Sequence, residues 1–159
     1  MHIEVLVQNP KDLNEICNQE TDFEQVGYFQ VEVEDGELEV LDIPYFDTCI
    51  SNSNTKLIFI AVDDNLVVGA LCIEHSEKGW DFGPNKWSMM NIGVSPSYEN
   101  KGVSTLMIET MFSTMKKLGL SGICQSSYTV QGSEKIKKIF NRYAEKHPEV
   151  GFLDSNRIF

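Results

Sequence analysis

The sequence predicts one α/β domain: a mixed, mostly antiparallel central sheet flanked by helices, with a β-hairpin towards its N-terminus. Three observations predict it. Two apolar, β-branched runs, Leu57 to Val62 and Leu66 to Ile73, are joined only by Asp63-Asp64-Asn65, residues that tolerate left-handed backbone. Beyond Val94 the hydrophobic period changes from that of a strand to that of a helix. The chain has 159 residues, 42% hydrophobic and 23% charged, enough for one core and short for two. Residues 1–159 therefore read as a single domain, without linker, low-complexity run or internal repeat.

The elements follow in order. His2 to Val7 alternates partly and predicts a first strand, ended by Asn9-Pro10. A helix follows from Pro10, with Leu13, Ile16 and Cys17 on one face. Tyr28 to Glu34 and Glu37 to Val40 flank Asp35-Gly36, the dipeptide that a tight hairpin turn favours. Residues 43–54 are less regular and allow a short helix. The two apolar runs are adjacent antiparallel strands, and after a loop with Gly79, Gly83 and Pro84 the stretch Trp87 to Val94 is another. Val103, Leu106, Met107, Met111, Met115 and Leu118 then form one helical stripe ending at Gly119. Gly122 to Tyr128 predicts a strand. A last helix starts at Ser133, shows Ile136, Ile139, Phe140 and Tyr143 on one face, and stops before Pro148.

Composition excludes several classes. No run approaches the roughly 20 apolar residues that span a bilayer, and MHIEVLVQNPKDL lacks the basic flank and apolar stretch of a signal peptide. A soluble, cytoplasmic protein with no membrane partner is expected. Cys17, Cys49, Cys72 and Cys124 include no C-x-x-C pair, so no metal site and no disulfide framework is indicated. Net charge is -11, and its placement matters more than its size. Thirteen acids oppose Lys11 in residues 1–50, whereas eleven acids oppose twelve bases in residues 51–159. Between Lys101 and Lys146 eight bases outnumber three acids. One part repels anions and the other attracts them. Nucleic acid is not expected as a partner, since no basic stripe with interleaved aromatics occurs.

The informative junction is Val94-Ser-Pro-Ser-Tyr-Glu-Asn-Lys-Gly-Val-Ser104, between a strand and a helix. A helix start offers unpaired backbone N–H groups and a partial positive charge, which suit a phosphate or diphosphate. Gly102 permits close approach and Ser104 adds little bulk. The order Lys101-Gly102 is not that of a nucleotide P-loop, and G-x-G-x-x-G is missing.

The Val-x-Pro-x-Tyr turn with a glycine at helix entry, preceded by the paired strands, resembles the GNAT superfamily of N-acetyltransferases over residues 55–147. That family uses acetyl-coenzyme A. Its diphosphate loop reads Arg or Gln, two residues, Gly, one residue, then Gly or Ala; here the frame is Glu99-Asn100-Lys101-Gly102-Val103-Ser104, with an acid in the first place and Ser in the last. The resemblance implies a GNAT-like fold with acetyl-coenzyme A as cosubstrate. It implies donor binding by Asn100, Lys101, Gly102, Val103 and Ser104, and by the backbone of Ile92, Gly93 and Val94 along the pantetheine arm. The last strand residues would part from the Gly122–Tyr128 strand, with Gly93 easing a bulge.

The resemblance also implies acetyl transfer to a primary amine of a cationic small molecule or peptide, because acids at a cleft mouth concentrate cations. The family's proton-donating tyrosine aligns with Phe140, which cannot donate and is counted with the donor-binding residues. Tyr143 and Tyr128 are the substitutes. Glu74, His75 or a water chain would take the amine proton. A homodimer is left open. Phe140 and Glu99 equally fit a rival, a catalytically inactive acyl-coenzyme A-binding or protein-interaction module. The acidic N-terminal third alone fits a remoter one, an acidic protein that blocks a basic partner.

Overall fold

Strands whose two faces are both buried need no alternation of polarity, and the two apolar runs owe their unbroken hydrophobicity to this. The protein is described by a computed structural model over residues 1–17, 28–29, 38–44, 46, 55–75, 87–120, 122–125, 130–150 and 152–154. The strands are β1 (His2–Gln8), β2 (Tyr28–Phe29), β3 (Glu39–Val40), β4 (Lys56–Asp63), β5 (Leu66–His75), β6 (Trp87–Val94), β7 (Ile123–Gln125) and β8 (Phe152–Asp154). The helices are α1 (Pro10–Cys17), α2 (Val103–Leu118) and α3 (Val130–Lys146), with a 3-10 turn at Pro96–Tyr98. They form the mixed sheet that was expected, in the order β2-β1-β4-β5-β6-β7-β8, with β3 also on β5. The long pairings, β1 with β4, β4 with β5 and β5 with β6, are antiparallel. β7 is parallel to β6 and to β8, each reached by a helical crossover.

The sheet separates two cores. Leu57, Phe59, Leu71, Ile73 and Met89 meet Leu13 of α1, the stripe of Met107, Met111 and Met115 on α2, and Ile139 and Phe140 of α3. Ile58, Ile60, Ala70 and Cys72 face the other way, against Leu6, Ile43 and Phe46. Each fully buried aliphatic or aromatic side chain contributes about 1.5–3 kcal/mol relative to exposure. The α2 helix ends as its sequence predicts: Gly119 is left-handed at φ 70, and Leu120 N–H donates to Met115 O at 2.9 Å. Among the described residues no helix is long and apolar enough to cross a membrane.

Four expectations need correction or completion. The Asp35-Gly36 turn lies outside the described residues, and the described ends of the hairpin lie on different strands. Tyr28–Phe29 runs parallel to β1 and Glu39–Val40 parallel to β5. Most of the short helix expected within residues 43–54 also lies outside them. The last helix begins at Val130, not Ser133, because an interior Gly132 costs only about 1 kcal/mol and the apolar face of Ile136, Ile139 and Phe140 outweighs it. The irregularity of β6 is at Met90: Ile73 pairs with Met89 and Cys72 with Asn91, leaving Met90 extra. Gly93 stays in register with Ala70, and its missing side chain instead makes room for Pro44, whose carbonyl oxygen would be 2.8 Å from a Cβ. The strand β8 was not anticipated; three residues are too few for a periodic signal.

One contact sets where α2 begins. A Cβ on Gly69 would lie 2.8 Å from Val103 Cγ1 and 3.2 Å from Met107 Cε, so the bare glycine lets the first turn of α2 settle on β5. Gly69→Ala is expected to destabilise the fold by about 1–3 kcal/mol, the usual result of overpacking, since β-branched Val103 cannot swing away. Denaturant unfolding checks this; an unchanged midpoint would show that the helix yields freely.

Candidate functional site

The strand β6 is held on one edge by β5 as far as Val94. On its other edge β7 accompanies only Trp87, Ser88 and Met89. Beyond the Met90 bulge no second partner strand exists among the described residues, and burial changes there. Trp87 to Met89 are buried, Met90 is 38% exposed, and Asn91 to Val94 are half-buried. Ile92, Gly93 and Val94, expected to carry the pantetheine arm, lie in the half-buried end of the strand, and Val94 lines the cavity described below.

The chain then turns into α2 through a tightly bonded loop. Ser95 N–H donates to Val68 O at 2.9 Å, Tyr98 N–H to Ser95 O at 2.9 Å, and Leu106 N–H to Gly102 O at 3.0 Å. Asn100 and Gly102 are left-handed, at φ 62 and 81. Asn tolerates that region and Gly adopts it freely. Gly102 is the N-cap and supplies no side chain to the first N–H groups of α2, and the first turn holds no acid. These donors and the helix dipole are aimed at a cavity of about 260 Å³. Val94, Asn100, Gly102, Val103 and Ser104, all expected at the donor site, line it. Tyr98, Thr105 and Lys135 complete the lining.

Apart from its chain neighbours, no described atom lies within 4 Å of the place a Gly102 Cβ would take, so this side of the cavity is an open cradle at an exposed turn. Among the described residues no acid lines the cavity, and Glu99 is exposed outside it. Lys101 is likewise not in the lining; its Nζ stands 5.0 Å over the Tyr98 ring. The Tyr98 hydroxyl donates to Asp63 Oδ2 at 2.7 Å and ties the loop to the β4–β5 turn. That hydrogen bond, then burial and the charges of Asp63 and Asp64, hold the Tyr98 phenol above the usual tyrosine range. The sequence contained signals for two of the residues it missed. Tyr98 is part of the Val-x-Pro-x-Tyr turn, and Lys135 belongs to the basic run from Lys101 to Lys146.

The residues expected to move protons are not gathered here. The hydroxyl of Tyr143 approaches Glu109 Oε2 at 3.4 Å, a long contact on exposed surface, with Lys146 and Arg142 over its ring. Glu109 is on the solvent face of α2, whereas β6 lies under the opposite, buried face, so this hydroxyl points away from the cleft. Phe140 is wholly buried, edge-on to Phe112 at 5.7 Å, and is core rather than cleft wall. Its aromatic, apolar character is what the α2–α3 contact requires. Tyr128 lies outside the described residues. Glu74 is 3% exposed and in register with Lys56 on one side and Ser88 on the other, all on the face away from α2. His75 alternates to the opposite face, its ring 5.2 Å from that of Trp87. The two cannot act as a pair.

A half-buried strand end thus leads into a helix start whose first residues line a cavity. The chain belongs to the GNAT acetyltransferase family, whose family model matches residues 14–134. Acetyl-coenzyme A is that family's acyl donor. No curated relative matches the chain. Among solved structures it is similar to an aminoglycoside acetyltransferase, meta-AAC0020, from an uncultured soil metagenomic sample, crystallised with trehalose, at 14% identity over 88% of this chain and 86% of that one, TM-score 0.46. A ribosomal-protein-alanine N-acetyltransferase from Brucella melitensis biovar Abortus 2308 is similar at 12% identity over 90% and 91%, TM-score 0.49. AAC(6')-Iy in complex with the bisubstrate analogue CoA-S-monomethyl-acetylneamine is similar at 16% identity over 96% and 92%, TM-score 0.43. Similarity this distant carries no acceptor across.

Gly102→Glu tests the seat. It adds charge and bulk where the protein has nothing to clash with, so the fold loses only about 1–2 kcal/mol to the left-handed backbone while anion binding collapses. Coenzyme A should protect the wild type against heat and fail to protect the variant. Equal protection of both would show that the diphosphate sits elsewhere.

Proposed function

We propose that this protein transfers the acetyl group of acetyl-coenzyme A to a primary amine on a cationic small molecule or peptide. The observation that carries the reading is the cavity at Gly102, lined by the first residues of α2 and by no acid among the described residues, at the end of the half-exposed part of β6. The first N–H groups of α2 would hold the diphosphate, and the edge of β6 from Ile92 to Val94 the pantetheine arm. Bound there, the thioester supplies an activated acetyl carbonyl. A backbone N–H near Val94 polarises the carbonyl oxygen, and much of the rate comes from holding amine and carbonyl together.

What supports a cationic acceptor is the acidic N-terminal third and the position of its described part. The segment from Leu38 to Pro44 reaches β6 at Gly93 and exposes Glu39 and Asp42. Glu74 and His75 lie beside the closed end of β6 on opposite faces, so a water chain takes the ammonium proton. With Tyr143 directed to Glu109, Tyr128 is assigned the proton that the departing thiolate receives. Phe140 in the place of the family's tyrosine favours a second reading, an acyl-coenzyme A-binding module without turnover.

Incubation with acetyl-coenzyme A and a panel of polyamines, aminoglycosides and lysine peptides, with release of free thiol followed, separates these readings. Thiol release above blank supports the transferase. Heat protection by coenzyme A without thiol release selects the binding module, and neither effect removes both. In an active enzyme Tyr143→Phe should leave kcat within a factor of about two, as expected for a weak surface hydrogen bond. Tyr128→Phe should lower it on the order of a hundred-fold. The reverse pattern would restore Tyr143 as the acid.

A further inference from the structure

Backbone amides orient a diphosphate, but neutral donors leave its charge uncompensated. The loop's own charged groups do not line the seat: Glu99 is exposed outside it, and Lys101 sits over the Tyr98 ring. The cation in the lining comes from another element. Lys135, in α3, lines the cavity, and its Nζ donates to Asn100 Oδ1 at 3.1 Å. Asn100 is the left-handed residue two places before the Gly102 cap, so the ammonium is held across the mouth of the cradle by a neutral amide oxygen. An anionic oxygen is a stronger partner for an ammonium than an amide oxygen is.

The geometry points to Lys135 as a donor-binding residue: when acetyl-coenzyme A binds, its ammonium exchanges Asn100 Oδ1 for a diphosphate oxygen. This inference rests on the donor assignment proposed above and adds to it a charge supplied from α3. Ligand selection follows. Diphosphate-bearing donors are favoured over bare pantetheine thioesters by this contact, and the ribose phosphate is not what the lysine reads.

Calorimetric titration of coenzyme A and of 3′-dephospho-coenzyme A into wild type, Lys135→Gln and Lys135→Arg tests it. Lys135→Gln should weaken both ligands alike, by roughly ten-fold at low salt, and less at high salt. Lys135→Arg should retain most of the affinity. Because the ammonium is exposed, Lys135→Gln should melt as the wild type does, which keeps any loss of binding separate from loss of fold. Equal affinity of wild type and Lys135→Gln for coenzyme A overturns the proposal. So does a loss confined to coenzyme A, which would assign the lysine to the ribose phosphate. If the wild type binds neither ligand, the donor assignment itself fails, a result distinct from either of these.

Discussion

The site depends on the pairing of β6. Through its last residues β6 is fixed to β5, while the described residues of β7 accompany it only to Met89. A strand held on both edges would have no free backbone to offer a ligand, and one held on neither would have no defined position. The bulge at Met90 marks the change from one state to the other, as bulges commonly do where pairing ends. Everything after it, the half-buried strand end and the turn into α2, inherits its placement from the β5 pairing.

The turn gathers anion-binding character without a cluster of cations. Left-handed Asn100 and Gly102 bring the chain round so that the first residues of α2 line the cavity, and the first turn of that helix holds no acid. Gly69 contributes from a distance, since its bareness lets Val103 and Met107 lie close to the sheet and so sets the depth of the seat. One base of α3, Lys135, then joins a lining whose other donors include main-chain groups. The acidic N-terminal segment meets β6 on the other face of the sheet, at Gly93. Of the acids in that segment, Glu39 and Asp42 are described there, and both are exposed.

Much of this was legible in the sequence because it is local. The paired runs Leu57 to Val62 and Leu66 to Ile73, the methionine stripe and the glycine at helix entry each follow from periodicity or from one residue's backbone freedom. The residues that failed are those whose role depends on direction. Tyr143 lies on the expected helix, but whether its hydroxyl turns to β6 or to Glu109 is decided by how α3 rests on α2, which no local pattern encodes. Glu74 and His75 are adjacent in sequence and opposed in space, as strand geometry demands. Lys135 was visible as one base among eight, and only tertiary contact brings it to Asn100. The Met90 bulge left no mark because an extra residue in a strand looks like any other.

The Tyr98–Asp63 tether carries a consequence for alkaline conditions. A phenol whose ionisation is raised by folding keeps its stabilising contact below the unfolded value, near 10, and gives it up only as pH climbs through the higher folded value. The loop's tie to the β4–β5 turn is therefore whole through neutral and mildly alkaline solution, and it slackens only where the phenol at last ionises, above its ordinary value.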